Sequence, residues 1–137
     1  MMTIIDSSVL IDYLADRVTP ETDWLEQNAD VAPCGLTDLT LYEVLRGIRS
    51  DKRVAAVRDE LQAFQMWPTT TPGLEVTAAE NYRSLRKRGI TIRNTVDCVV
   101  ASFCIENGHE LLHNERDYDS FEKYLGLQVI HPDGRLV

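Results

Sequence analysis

The sequence lacks the features that would send the chain into a membrane or an oxidising compartment. No apolar run approaches the roughly 18 residues that a membrane-spanning helix needs. The N-terminus has neither the basic segment nor the long apolar segment of a signal peptide. The three cysteines, Cys34, Cys98 and Cys104, form no C-x-x-C pair, which favours free thiols over disulfides or metal ligands. We therefore expect a cytoplasmic protein.

Positive charge is also scarce. The chain has 14 lysines and arginines against 22 acidic residues, a net charge of −8. Such a protein does not attract nucleic acid through its overall field. A role on nucleic acid would need a local basic patch, a bound metal ion or a basic partner. The length of 137 residues and the 44% hydrophobic content are those of a single globular domain.

Short strand patterns alternate with helix patterns along the whole chain. Strands are predicted at residues 3–6, 29–36, 109–113 and 127–131, each short and apolar or β-branched. Helices are predicted to begin near residues 7, 20, 37, 50, 74, 95 and 120, mostly at Ser, Thr or Pro start signals. This alternation predicts parallel pairing and a three-layer α/β/α sandwich with a central, mostly parallel sheet.

Acidic residues follow the predicted strands. Asp6 ends the first strand, and Glu115, Asp117 and Asp119 follow the strand at 109–113. The carboxyl ends of parallel strands open onto one edge of a sheet, where sites gather in α/β folds. We therefore expect these side chains to face the same edge.

Two further acids lie on predicted helices with apolar surroundings. Asp97 is in the first turn of the nearly all-apolar helix 95–107, and Glu43 is beside Leu39 and Gly47 at helical spacing. Structural roles compete: Asp6 and Asp97 could cap helices, Glu43 could pair with a nearby arginine, and 115–119 could be a solvated loop. A calcium EF-hand at "DYDSFEKYLG" is excluded because its glycine and final glutamate are missing.

Convergence of these acids favours a cation site. Four or more carboxylates at one edge would repel one another unless a hard cation bound them, and Mg²⁺ or Mn²⁺ is the natural candidate. The acids fall in four ordered segments, "IIDSSVLIDYL", "TLYEVLRGI", "TVDCVVASFCIENG" and "LLHNERDYDSF". Together these segments resemble PIN-domain ribonucleases, specifically the VapC-type toxins of toxin–antitoxin pairs.

The resemblance implies a PIN-like fold over residues 1–137, as one domain, and hydrolysis of RNA phosphodiester bonds with Mg²⁺ or Mn²⁺. It assigns catalytic and metal-binding roles to Asp6, Glu43, Asp97 and Asp117. Supporting roles fall to Ser8, Asn114, Glu115 and Asp119. It further implies a cognate VapB-type antitoxin, a homodimer of toxins and a tRNA, rRNA or mRNA substrate.

A basic segment at 82–94 precedes the Asp97 helix. Its cations could contact the RNA backbone, or they could serve as ordinary helix C-terminal charges. They are Arg83, Arg86, Lys87, Arg88 and Arg93.

The sequence departs from the family pattern at two positions. Tyr118 stands where phenylalanine is usual, and Glu115 where aspartate is frequent. Three other classes remain as alternatives: a phosphoacceptor receiver domain, a haloacid-dehalogenase-type phosphatase and a metal-free interaction module. The receiver would need adjacent acids after the first strand and the phosphatase a D-x-D, but residues 7 and 8 are both serine.

Overall fold

Five short strands form the centre of the fold in a computed structural model that describes residues 1–133. They are β1 (Thr3–Ile5), β2 (Cys34–Thr37), β3 (Gln65–Trp67), β4 (Glu110–Leu112) and β5 (Gln128–Val129). Their order is β3-β2-β1-β4-β5, and every pairing is parallel. The predicted parallel sheet is confirmed.

Helices connect the strands. They are α1 (Ser7–Leu14), α2 (Pro20–Asn28), α3 (Asp38–Arg46), α4 (Asp51–Leu61), α5 (Leu74–Lys87), α6 (Thr95–Asn107) and α7 (Tyr118–Leu125). Successive residues of a strand point to opposite faces of the sheet. Ile4 and Leu111 accordingly pack in the core with α5, α6 and α7, whereas Ile5 and Leu112 pack with α1 to α4. The three-layer α/β/α sandwich is therefore confirmed.

The strand predictions were incomplete at one edge of the sheet. β3 was missed, because Gln65 and Met66 are exposed and the segment carries no alternating apolar pattern. The second strand begins at Cys34 and not at residue 29, because a turn separates it from the end of α2. β3 has only three residues and is ordered by its hydrogen bonds to β2. Such a short edge strand has no recognisable pattern in the sequence.

Residues at the predicted site cap two of the helices. Asp6 caps α1, accepting a hydrogen bond from the backbone of Ser8; this is the structural role considered for Asp6 in the sequence, whereas the start signal had been assigned to the two serines. Asn94 caps α6 by accepting from the backbone of Val96, where Thr95 was predicted. Helix capping therefore holds two residues next to the predicted site.

The strand order changes side at β1. β2 and β3 lie on one side of β1, and β4 and β5, which follow later in the chain, lie on the other. Such a switch point opens a crevice at the carboxyl ends of the two strands. The backbone N–H of Asp6 donates to the carbonyl of Leu112 at 2.9 Å, which places Asp6 directly beside the end of β4.

The thiol prediction is confirmed for all three cysteines. Cys98 and Cys104 are buried, Cys34 is half-buried, and all are free. In residues 1–133 no helix combines the length and the apolar character needed to cross a bilayer.

We predict that Gly35→Ala destabilises the fold. A Cβ at Gly35 would lie 2.7 Å from Met2 Sδ, 2.9 Å from Trp67 Nε1 and 3.0 Å from the Gln65 carbonyl oxygen, so β2 and β3 would have to separate. Overpacking of this kind costs about 1–3 kcal/mol. Chemical denaturation of both proteins measures the difference.

Gly47→Ala is the matched control. A Cβ there would meet nothing nearer than 3.7 Å, and Gly47 has an ordinary helical conformation. Its free energy of unfolding should stay within about 0.5 kcal/mol of the wild type. Equal stability of the two alanine variants would contradict the crowding at Gly35.

Candidate active site

Asp6 is buried and held by donors on both carboxylate oxygens. Oδ2 accepts from the Ser8 backbone at 3.0 Å and from Ser8 Oγ at 2.6 Å. Oδ1 accepts from the Tyr118 hydroxyl at 2.7 Å. Each carboxylate oxygen offers about two acceptor positions, so Oδ2 is fully used. The remaining position of Asp6 is on Oδ1.

The Tyr118 hydroxyl stands between two acids. It lies 2.7 Å from Asp6 Oδ1 and 3.2 Å from Asp97 Oδ1, and the side chain is fully buried. Burial first, and then the charges of Asp6 and Asp97, raise the pKa of Tyr118 well above its usual value. The phenol therefore stays neutral and has one proton to share, which the shorter contact assigns to Asp6.

Asp97 carries a carboxylate that the surrounding groups leave uncompensated. Its exposed fraction is 3%. Burial, followed by the negative charges of Asp6, Glu43 and Glu115, raises its pKa to about 8, with the Tyr118 hydrogen bond acting in the opposite direction. A bound cation would remove this cost by supplying the missing positive charge.

Glu43 reaches the site from α3 through two polar neighbours. Ser7 Oγ donates to its Oε1 at 3.0 Å, and Asn94 Nδ2 donates to its Oε2 at 3.4 Å. The alternative ion pair with Arg46 is present only at 4.0 Å, with the arginine side chain 60% exposed. Glu43 is thus oriented mainly by hydrogen bonds.

Three carboxylates bring ligand atoms close enough to hold one ion. Single oxygens of Asp97, Glu115 and Asp117 lie within 4.8 Å of one another, the one such group found within residues 1–133. Asp117 Oδ2 is oriented by the backbone N–H groups of Arg93 and Asn94 at 3.3 and 3.4 Å. Because all three possible ligand atoms are carboxylate oxygens, they suit Mg²⁺ or Mn²⁺ better than a softer metal.

The other predicted residues divide into neighbours of the site and outliers. Asn114 donates its backbone N–H to Ser8 Oγ at 2.9 Å, and so joins the β4 end to the Asp6 loop. Asp119 is not among the three clustered ligand carboxylates; it lines a cavity with Glu115, His113 and His131.

The predicted basic residues differ in the same way. Arg93 is beside Asp117 through its backbone. The cations at the end of α5 are exposed, and the guanidinium of Arg88 lies over the Tyr124 ring at 4.3 Å. Among the contacts described within residues 1–133, none links the cations at the end of α5 to the acidic site.

Sequence reasoning missed three groups at the site and underrated a fourth. Ser7 and Asn94 orient Glu43, and the Tyr118 hydroxyl joins two acids. Glu115 was expected only to support the site, but it lies among the possible ligands. One signal was available for Tyr118, since a tyrosine in place of phenylalanine adds a hydroxyl that must find a partner when buried.

Comparison with known proteins adds the family. The family model described as PIN domain matches residues 3–124. The chain belongs to the PIN-domain family. This membership agrees with the four segments noted in the sequence, and it does not support the receiver-domain alternative.

Two mycobacterial ribonucleases resemble this PIN-domain chain over nearly all of its length. Ribonuclease VapC11 of Mycobacterium tuberculosis is 25% identical over 139 aligned residues, covering 93% of this chain and 97% of the relative. VapC ribonuclease Mb1587 of Mycobacterium bovis matches with the same figures.

Solved structures share the fold. VapBC2 of Rickettsia felis, bound to a DNA fragment from its promoter, has a TM-score of 0.77 at 16% identity, covering 95% of this chain and 98% of that one. DNA-bound VapBC of Salmonella typhimurium has a TM-score of 0.75 at 15% identity, with coverages of 95% and 97%. The PIN-domain architecture is therefore common to proteins of very different sequence.

We predict that Tyr118→Phe destabilises the metal-free protein. The change leaves the ring in place but removes the donor to Asp6, and a hydrogen bond to a charged group contributes about 1.5–3 kcal/mol. Urea denaturation in EDTA measures the loss. Tyr124→Phe, a partly exposed tyrosine on the same helix, should change little, and equal effects of the two variants would contradict the role of the buried hydroxyl.

We also predict a pH-dependent stability difference at Asp97. Its pKa is raised from 3.8 to about 8 in the folded chain, so the protonated form favours folding. That contribution is complete below the unfolded pKa and is lost as the pH rises through about 8. In EDTA, Asp97→Asn should therefore gain stability relative to the wild type between about pH 5 and pH 9.

Denaturation at several pH values measures this difference. Asp23→Asn, at an exposed position on α2, should follow the wild-type profile. Parallel profiles for Asp97→Asn and the wild type would show that the carboxylate bears no such cost.

Proposed function

We propose that this chain is a metal-dependent endoribonuclease that acts as the toxin of a toxin–antitoxin pair. Its PIN-domain membership and the ribonuclease names of its mycobacterial relatives support the proposal. The observation that carries it is the group of Asp97, Glu115 and Asp117 oxygens beside the buried Asp6. Uncompensated carboxylates at a sheet edge suit a cation that in turn binds phosphate.

The residues fit Mg²⁺ or Mn²⁺. Asp97, Glu115 and Asp117 would hold the ion, and Asp6 would contribute through the acceptor position left on Oδ1. When bound, the ion supplies charge neutralisation and a water of lowered pKa. Asp97 must lose any proton before it can act as a ligand, so binding should weaken as the pH falls.

The remaining side chains hold and orient the reacting groups. Glu43 is fixed by Ser7 and Asn94, which suits it to accept a proton from the attacking water. Arg93 and Arg116 are exposed beside Asp117, where they would contact phosphates of the RNA. The network of Ser8, Asn114 and Tyr118 would keep Asp6 in place while RNA binds.

The proposal extends to partners and setting. A cognate antitoxin with a basic segment would bind the acidic mouth of the site, since complementary charge favours that pairing. The toxin would act in the cytoplasm on tRNA, rRNA or mRNA, as a homodimer. The whole chain of 137 residues would form one PIN domain.

We predict that the purified protein cleaves RNA with Mg²⁺ or Mn²⁺ and that Asp97→Asn reduces the rate at least about 100-fold. The amide keeps the shape of the side chain but loses the charge that holds the ion. Gel analysis of labelled RNA measures cleavage. Asp23→Asn should cleave normally, and full activity of the wild type in EDTA would contradict the mechanism.

The wild type and the Asp97→Asn variant also test the toxin role in cells. Expression of the wild type should arrest growth, and coexpression of the adjacent upstream open reading frame should relieve the arrest. Asp97→Asn should not arrest growth at equal protein levels. Arrest by that variant would separate toxicity from RNA cleavage.

A further inference from the structure

A groove runs along α7 from the candidate ion site. It has a volume of about 290 Å³, close to the lower end of small-molecule sites, which hold about 300–1,000 Å³. Asp117 lines the groove, and an oxygen of Asp117 is one of the three clustered ligand atoms. Tyr124 lies about 10 Å further along the helix axis, near the end of α7, and also lines the groove. The groove therefore connects the ion site to the end of α7.

Two segments of the chain line this groove. Asp117, Ser120 and Tyr124 have the i, i+3, i+7 spacing that places side chains on one face of a helix. Residues 90–92, between α5 and α6, contribute two isoleucines and a threonine. The groove also has two cationic side chains, Arg116 and Lys123. It therefore combines apolar and cationic groups next to a site that suits a metal ion.

Tyr124 presents an exposed aromatic ring in the groove. The residue is 38% exposed, whereas Tyr118 on the same helix is fully buried. The guanidinium carbon of Arg88 lies 4.3 Å from the centroid of the Tyr124 ring, and Nζ of Lys123 lies 5.3 Å from it. Both cations are on exposed side chains. Exposed rings accompanied by cations are the surfaces on which proteins stack the bases of single-stranded nucleic acid.

The cations of the groove are available to phosphate. Within residues 1–133, no ion pair involves Arg88, Arg116 or Lys123. The two acids of the groove are stabilised in other ways. Asp117 accepts from two backbone N–H groups, and Asp119 lies in the first turn of α7, where the helix dipole favours its negative charge. Charge is thus divided along the groove, with both acids at the start of α7 and Lys123 and Arg88 beside its end.

A second cavity has an equally exposed tyrosine but lacks the other features. It lies between α1, α2 and α4 and is lined by Tyr13, which is also 38% exposed. Its two cations are already used, because Arg17 pairs with Asp12 at 3.0 Å and Arg53 donates to the Leu14 carbonyl at 3.0 Å. Of its described lining residues, none belongs to the clustered ligand carboxylates, and four are acids: Asp16, Asp23, Glu26 and Glu60. Tyr13 is therefore a matched control for Tyr124.

We propose that an unpaired base of RNA stacks on Tyr124 and that Lys123 and Arg88 contact the phosphates beside that base, an inference that rests on the proposed ribonuclease function. The groove would hold the RNA strand next to the phosphate that the ion binds. The exposed side chains of Lys123 and Arg88 can turn towards phosphate while the base occupies the ring.

This site defines the class of substrate. Every base has a flat π face, so stacking on Tyr124 adds affinity with little preference for sequence. A continuous duplex cannot use the ring, because its bases are paired and stacked on one another, whereas loops and ends can present an unstacked base to an aromatic side chain. The substrate is therefore RNA that is single-stranded next to the cleaved bond.

The test is RNA binding by the full chain in EDTA, measured by fluorescence anisotropy at low salt. One probe is a short labelled RNA without self-complementarity, and the other is the same strand paired with its complement. Tyr124→Leu should bind the single strand about tenfold more weakly than the wild type, the contribution of one stacked base. Leucine keeps an apolar side chain but has no flat ring. Tyr124→Phe keeps the ring and should bind as the wild type does.

Three comparisons separate stacking from charge and from general effects of substitution. Tyr13→Leu, at the matched exposed position, should bind the single strand as the wild type does. Lys123→Gln should reduce the slope of log affinity against log salt by about 0.7, the value of one phosphate contact on a single strand, whereas Tyr124→Leu should leave that slope unchanged. The wild type and Tyr124→Leu should bind the duplex equally.

Absence of binding by the wild type, or equal affinity of the wild type and Tyr124→Leu for the single strand, overturns the stacking site. An equal loss of affinity for the duplex also overturns it, because a paired base cannot reach the ring. This measurement needs neither metal nor cleavage, so it is independent of the nuclease proposal. RNA cleavage with unchanged binding by Tyr124→Leu would remove the stacking site alone. Binding that depends on Tyr124, without metal-dependent cleavage, would leave an RNA site and remove the nuclease proposal.

Discussion

The hydroxyl of Tyr118 lies between two buried carboxylates that would otherwise face each other, and the rest of the site is arranged around it. Asp6 comes from the end of β1 and Asp97 from the first turn of α6, and both are almost fully buried. Burying two like charges is unfavourable unless donors or a cation compensate them. The one phenol proton compensates only part of the negative charge of the two carboxylates. The charge that is left makes the site suitable for a cation.

The sheet supplies the geometry that brings these groups together. β1 and β4 are neighbours although they are distant in sequence, so the Asp6 turn and the loop after β4 share one edge. The backbone contacts from Asp6 to Leu112 and from Asn114 to Ser8 continue that pairing past the strands. The position of the acids is therefore a property of the sheet as much as of the loops. A cation bound at this edge would offset part of the negative charge that the clustered carboxylates bring together.

Much of this could be predicted from sequence, for identifiable physical reasons. Alternating strand and helix patterns are properties of local segments, and they gave the layers and the parallel sheet. Asp6, Glu43, Asp97 and Asp117 were expected at one edge of the sheet. In the structure the Tyr118 hydroxyl lies between Asp6 and Asp97, and Asn94 contacts both Glu43 and Asp117. β3 was missed because an exposed edge strand depends on its partner for order. Asn94, Ser7 and the Tyr118 hydroxyl act through contacts between residues far apart in the chain, and the sequence gives no distance for such contacts. Glu115 was underrated for the same reason, since only the folded loop shows how near its oxygen lies to those of Asp97.

The anchoring of Asp6 Oδ2 by Ser8 has a consequence for genetics at this site. An asparagine at position 6 can still cap α1, but its oxygen would be used by Ser8 and its amide group would face Tyr118. The phenol would then have to accept from position 6 and turn its own proton towards Asp97. Substitutions at positions 6 and 97 are therefore not independent, and their effects on the site should be strongly non-additive. Mutational tolerance at either position would depend on the residue at the other, with the phenol at position 118 as the link between them.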